Sequence, residues 1–286
     1  MNDDRDHASD EYSEAKREHR VVCDFAAQLS SAVAGASVDD WHLEMASYLF
    51  SKICCHAISA RKLAPSGLVP VEANTRELWD LSSICAIVRA EIDSYFALVY
   101  HAVDPVSREE RELRRLLWEY HGEATRLRLI EQNRLASTDV SGFQKTVQAS
   151  WRRLEAHGKF GAISVTTRNS IKEEQRARLS SSSDLARRAD ISSTYYKMVF
   201  DYLSCHLHAY GLAGKQLAVF RAGCPESLGL IENALNFSTA FLSVAIRDSR
   251  RLWPDLKIDC RETSETIAGQ WISILSGWDD PESGPG

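Results

Sequence analysis

The chain reads as an all-α protein, a single-domain bundle of about eight helices with mostly antiparallel neighbours. Three observations predict it. Apolar residues recur at steps of three and four, the period of one helix face. All seven prolines fall between the periodic segments and none inside one, which matters because a proline inside a helix costs about 3 kcal/mol. The connections are short, and short connections make successive helices antiparallel.

The first helix spans about Asp10 to Ala34, with Val22, Phe25 and Leu29 on one face, and stops near Gly35. The second starts at Ser37, with Asp40 three residues on as a capping partner, carries Met45, Leu49, Ile53 and Ala57, and ends before Pro65. The third runs from about Asn74 to Ala102 on Leu78, Leu81, Cys85, Val88, Ile92, Tyr95 and Val99. Pro105 and Ser107 separate it from a fourth, about Ser107 to Arg134. A fifth spans about Asp139 to His157, with Gly158 as its stop. Ile163 to Thr167 has an extended pattern, but one short run makes no sheet. A charged helix follows over about Asn169 to Leu179, then a short one from Asp184 to Ala189. The remaining helices are about Ser193 to Tyr210, closed by Gly211, then Ser227 to Trp253 and Glu262 to Leu275. The expected organisation is a flexible acidic segment over 1–9, one helical domain over 10–277 and a disordered tail over 278–286.

Composition narrows the function classes. A net charge of −6 argues against a dedicated DNA-binding protein. No uninterrupted apolar run reaches the roughly 18 residues of a membrane helix, because Glu232, Asn233 and Asn236 break the best candidate, so no membrane partner is expected. The acidic start Met1-Asn2-Asp3-Asp4 resembles neither a signal nor a transit peptide. Seven cysteines without any C-x-x-C read as free core thiols of a reducing compartment, so the expected location is the cytoplasm. No metal site and no cofactor are expected: E-x-x-H pairs, P-loops and G-x-G-x-x-G are absent. His206 and His208 flank Cys205, but residues two apart on a helix point to different faces.

One polar constellation stands out. Tyr196, Phe200, Ser204 and His208 are spaced by four and therefore stack along one helix face. Arg89 and Asp93, also four apart, sit on the largely apolar third helix. If these helices pack together, Arg89, Asp93, Tyr196, Ser204 and His208 line one sheltered binding pocket. The bland alternatives are an interhelical hydrogen bond and a surface ion pair worth about 0–1 kcal/mol. Ser204 forms no hydrolase signature, since no G-x-S-x-G is present and a mid-helix serine lacks the exposing turn.

An Arg-x-x-x-acid helix followed by aromatic-x-x-x-aromatic-x-x-x-Ser-x-x-x-His resembles an uncharacterised bacterial all-helical family, a domain of unknown function. Arg89 and Asp93, then Tyr196, Phe200, Ser204 and His208, carry that resemblance, over about residues 40 to 250. The family usually places a proline after the histidine, where Ala209 stands here. The resemblance implies a fold and a site, not a reaction.

The functional expectation is a non-catalytic helical binding or regulatory module, in a possible defence role, with an unidentified protein or small-molecule ligand. The alternative is a toxin-type ribonuclease using Arg152 and His157. Trp151 to Arg188 carries nine Lys/Arg against four Asp/Glu, a net +5 that suits RNA phosphates.

Overall fold

The computed structural model describes residues 2–34, 40–68, 79–133, 140–173, 176–208, 210–258 and 261–279, with side chains from residue 7 onward. It is 81 % helical with no strand among the described residues, so the all-α class holds. Eleven α-helices are present there rather than eight: α1 Asn2–Ala34, α2 Trp41–Leu63, α3 Leu81–Leu98, α4 Arg108–Gln132, α5 Val140–Glu155, α6 Val165–Lys172, α7 Ser182–Arg188, α8 Ser193–Leu207, α9 Gly211–Val219, α10 Pro225–Leu252 and α11 Glu262–Gly277.

Several boundaries differ from the sequence reading for identifiable local reasons. The helix α1 already begins at Asn2, where a flexible segment over 1–9 was expected. Ser37 and Asn74 lie outside the described residues. The helices that follow them are capped by Asp40, which accepts from the His42 amide at 2.7 Å, and by Asp80, which accepts from the Ser83 amide at 3.0 Å. Each cap satisfies one of the orphan amides of a helix start. Within Ile163 to Thr167 only Ile163 and Ser164 are extended; α6 starts at Val165, capped by Ser164, which accepts from Thr167 N at 3.2 Å. Gly211 does not close α8 but opens α9, because His208 already ends the preceding helix in a right-handed conformation. The turn after α7 uses Asp190 at φ +60° as a left-handed stop. Bonds from Ile191 N to Ala186 O and from Asp190 N to Arg187 O make it a Schellman motif. Trp278 packs edge-on against Tyr195 at 4.9 Å, so the predicted disordered tail does not start there; residues 280–286 lie outside the described residues.

The expected single domain over 10–277 is described instead as two compact units, residues 1–103 with 182–286, and residues 104–181. Each has its own apolar cluster. In the smaller unit α4 and α5 pair, and Leu113, Leu117 and Tyr120 bury against Leu154, Phe160 and Ile171. Trp151 meets the Tyr120 ring at 5.0 Å, tilted, and the Phe160 ring edge-on at 5.6 Å. Arg114, buried there, reaches Asp104 at 2.8 Å and Glu110 at 3.2 Å.

The larger unit is organised around α10, which packs against α1, α2, α3 and α11. Pro225 starts it at the first helical position, where a missing N–H costs nothing. Small residues such as Ser238, Ala240, Ser243 and Ala245 are fully buried along it and allow close approach of its neighbours. By length and composition α10 is also apolar enough to cross a bilayer, but 67 % of that window is buried inside the bundle, as in a core helix. Each large side chain that α10 sequesters, such as Phe241, contributes about 1.5–3 kcal/mol.

At its C-terminal end α10 carries Asp248, which is fully buried. Its carboxylate accepts from the Tyr95 hydroxyl of α3 at 2.8 Å and from Arg247 Nε at 2.8 Å, and Arg251 lies 3.3 Å away. Arg247 also donates to the Ala189 carbonyl in the α7 turn at 2.8 Å. One carboxylate thus ties α3, α10 and the α7–α8 connection together. The Asp248→Ala variant should lose about 3 kcal/mol of stability in urea denaturation, the low end of the range for removing one partner of a buried ion pair, because Arg247 is only partly buried and keeps the Ala189 carbonyl. Tyr95→Phe, which keeps the ring, should lose about 1 kcal/mol. Unchanged midpoints in both variants would contradict this role for the carboxylate.

Candidate functional site

Packing of α3 against α8 brings part of the predicted constellation together. The Arg89 guanidinium lies over the Phe200 ring at 3.9 Å and is ion-paired with Asp93. Tyr196 is buried edge-on against Phe96 at 5.0 Å and against Phe200 at 5.6 Å. The other half departs from the expectation. Arg89 and Asp93 share no hydrogen bond or ion pair with Ser204 or His208. Asp93 is half exposed, Ser204 is partly buried, and His208 is exposed, with its ring beside Tyr210 at 5.3 Å. The reason is the course of the helix: the row 196–200–204–208 leaves the core as it ascends, and His208 is the residue that ends α8. One sheltered pocket holding Arg89, Asp93, Tyr196, Ser204 and His208 is therefore not formed. What forms is a cation–aromatic clamp between α3 and α8, an interaction of about 0.5–2 kcal/mol. His206 is buried while His208 is exposed, as their spacing requires.

The most deeply buried polar chain lies elsewhere. Ser238 Oγ of α10 sits 2.9 Å from His19 Nε2 of α1 and 2.6 Å from Glu91 Oε2 of α3, and all three residues are fully buried. Cys23 Sγ approaches His19 Nδ1 at 3.6 Å. Burial holds the imidazole neutral, lowering its pKa from 6.5 to about 3, with a smaller contribution from the Arg61 charge. Burial drives Glu91 well above 4.5, against the opposing Ser238 hydrogen bond. The Ser238 hydroxyl donates to Glu91 Oε2, so the neutral imidazole can donate from Nε2 to Ser238 Oγ, which leaves Nδ1 facing the Cys23 thiol. With both end groups neutral the chain buries no charge, and Glu91 Oε1 is left as its one oxygen without a partner among the described residues. The sequence carried a signal for it: His19, Glu91 and Ser238 each interrupt an apolar helix row, at His19 between Tyr12, Ala15 and Val22, and at Glu91 between Val88 and Tyr95.

Accessible concave surface follows the outer side of α1. A cleft of about 370 Å³ between α1 and the start of α11 is lined by Arg17, Arg20, Asp24, Arg261, Thr263 and Ser264, with Val21, Phe25 and Gln28 as its floor. A neighbouring cleft of about 270 Å³ is lined by Ser13, Lys16, Arg17, Arg20, Arg61 and Ser66. The helical spacing of α1 explains the arrangement. Tyr12, Ala15, His19, Val22, Ala26 and Leu29 point inward, so Arg17 and Arg20 fall on the outward side. Arg17 is ion-paired with Glu14, and Arg61 lies 3.4 Å from Asp24. Arg20 is exposed and makes no ion pair with any described residue.

In the smaller unit, Arg152 is exposed on α5, and His157 lies past its end, accepting the Lys159 amide on Nδ1 at 3.3 Å. The basic stretch Trp151 to Arg188 is divided, since Arg187 and Arg188 belong to the larger unit. Some of its cations are already matched: Arg153 by Glu119 at 2.9 Å, Lys159 by Glu110 at 3.7 Å, and Arg187 by Asp184. Among the described residues, no group of three or more His, Cys, Asp or Glu side chains is arranged to hold a metal ion.

No family model, no curated protein and no solved structure matches the chain.

The buried chain has a pH signature. Between about 3 and 6.5 the unfolded chain binds a proton at His19 that the folded chain refuses, so this contribution to stability is lost as pH falls. Glu91 acts with the opposite sign: above 4.5 the folded chain retains a proton that the unfolded chain releases, so its contribution is lost as pH rises. The slopes oppose each other between 4.5 and 6.5. Glu91→Gln should remove the second slope. The variant's urea midpoint should then climb with pH from about 3 to 6.5 and level off above it, where the wild type declines. Parallel curves for the two proteins would show instead that Glu91 is buried as an anion.

Proposed function

We propose that the chain is a non-catalytic helical binding module whose ligand is an anion held along the outer side of α1, acting in the cytoplasm in a regulatory or defence role. The observation that carries this reading is the cleft between α1 and α11, where Arg17, Arg20 and Arg261 gather on a chain of net charge −6. Its volume of about 370 Å³ falls within the range of small-ligand sites. Thr263 and Ser264 add hydroxyl donors beside the guanidinium groups. Arginine suits an oxyanion because its planar fork matches two oxygens at once. His19 and Glu91, the acid–base pair of the buried chain, are sealed in the core. The free thiols, with Cys23, Cys54 and Cys85 buried, suit a reducing compartment.

Inorganic phosphate at low ionic strength should raise the melting temperature of the wild type more than chloride of matched ionic strength. The Arg20→Ala/Arg261→Ala pair should abolish the difference. Identical phosphate and chloride curves for the wild type would refute the anion site. Total RNA incubated with the protein should stay intact; cleavage that disappears in Arg152→Ala/His157→Ala would establish the ribonuclease instead.

A further inference from the structure

Exposed apolar surface is concentrated at the corner between α8 and α9. Among the described residues eleven large apolar side chains are exposed, and five of them fall between positions 207 and 219: Leu207, Tyr210, Leu212, Leu217 and Val219. Scattered singly, such residues need no account; gathered on one short segment they mark a contact surface. α9 packs on α8, and Phe220 just past its end meets the Trp79 ring at 6.4 Å. On α9 itself only Ala213 is buried, and Val219 is 72 % exposed.

The charges of this corner have one sign. Lys215 stands three residues after Leu212 and four before Val219, so its ammonium shares an outward helix face with both. No Asp or Glu occurs from residue 202 to residue 225, a stretch that carries Lys215 and Arg221, both exposed. Neither cation makes a side-chain hydrogen bond or ion pair with any described residue. The acids that bound the stretch are placed elsewhere: Asp201 follows Lys197 by one turn of α8, and Glu226 lies in the first turn of α10, where it complements the positive helix start.

Another protein, a second copy or a lipid surface could cover such a face, and charge decides among them. The core of a protein interface is depleted in lysine. A second copy seated on α9 about a two-fold axis would set this cationic face against itself, with no carboxylate in the stretch to receive either ammonium. An anionic bilayer supplies both halves of the match. Its acyl boundary takes the leucine and valine side chains, and its headgroups take Lys215 and Arg221, whose stems stay in the apolar layer while the charges reach out. Tyr210, an apolar ring with a polar tip, suits the same depth.

We infer that α9, with the corner that precedes it, is a peripheral docking surface for an anionic lipid bilayer. Nine residues make a helix about 14 Å long, too short to cross the hydrocarbon core, so α9 lies in the plane of the interface. The expectation of no membrane partner rests on the want of a spanning run, and a surface contact requires none. The net charge of −6 sets the rest of the chain against such a surface, which confines the contact to this patch and makes it sensitive to salt. The inference goes beyond the anion cleft, whose residues lie on α1 and α11.

The test is co-sedimentation of the full chain at low ionic strength with vesicles of phosphatidylcholine alone and of phosphatidylcholine and phosphatidylserine. The mixed vesicles should bind roughly 10-fold more tightly, and added salt should remove the difference. Lys215→Gln/Arg221→Gln should abolish the preference for phosphatidylserine, and Leu212→Ser/Val219→Ser should abolish binding to both vesicles. Melting temperatures close to wild type would show that the variants are folded; if the Leu212/Val219 pair melts lower, Val219→Ser alone takes its place. Binding to neither vesicle, or binding undiminished in these variants, would overturn the inference. So would loss of vesicle binding in Arg20→Ala/Arg261→Ala, which would move the contact to the α1 cleft. A lipid-free dimer in sedimentation equilibrium that disappears in Leu212→Ser/Val219→Ser would overturn it in favour of a second copy.

Discussion

The burial of α10 is the constraint from which the larger unit follows. A helix enclosed by α1, α2, α3 and α11 has no water to solvate its polar side chains. Most of its buried polar groups are therefore met, Thr239 and Ser243 by carbonyls one turn back on α10 itself and others by a neighbouring helix. Ser238 is met by His19 and Glu91, and Asp248 by Tyr95 and Arg247. These bonds are directional where apolar packing is not, so they fix how α1 and α3 sit on α10 as well as how tightly. The two networks solve the same problem with opposite electrostatics. Asp248 is buried beside a guanidinium and accepts from several donors, whereas Glu91 has no cation in hydrogen-bond contact and is held neutral by burial.

The same helix that closes the core presents the proposed binding surface. On α1, the inward row includes the His19 contact, and the outward side carries Arg17 and Arg20. Arg61 links the two sides: it lines the second cleft, and its charge also disfavours protonation of His19. Ligand chemistry at the surface and proton placement in the core are therefore separated by the thickness of one helix, about 10 Å. The α3–α8 clamp of Arg89 on Phe200 stands apart from both and serves to pack α8 against α3.

The legibility of the chain tracks the range of the interactions involved. Periodicity and proline placement locate the long helices α1 to α5, α8, α10 and α11, because those signals are local. Short helices are harder: α9 hides behind Gly211, which reads as the stop of the preceding helix, and only Ala213 on it is buried. The candidate site shows the same division. That α3 and α8 carry facing polar residues is visible as i, i+4 spacing, but where α8 leaves the core is not, and this is what exposes His208. His19, Glu91, Ser238 and Asp248 were detectable only as polar interruptions of apolar rows. Such an interruption says that a partner must exist without saying on which helix.

What the sequence determined by itself is the all-α class and the long helices with their apolar faces, both set by interactions within a few residues of chain. Only the tertiary structure decided that two units form, that residues 219 positions apart share a hydrogen bond, and that cations from α1, α2 and the start of α11 surround common clefts. Those outcomes depend on which helix faces meet, a choice made by shape and burial over the whole chain and written in no local pattern.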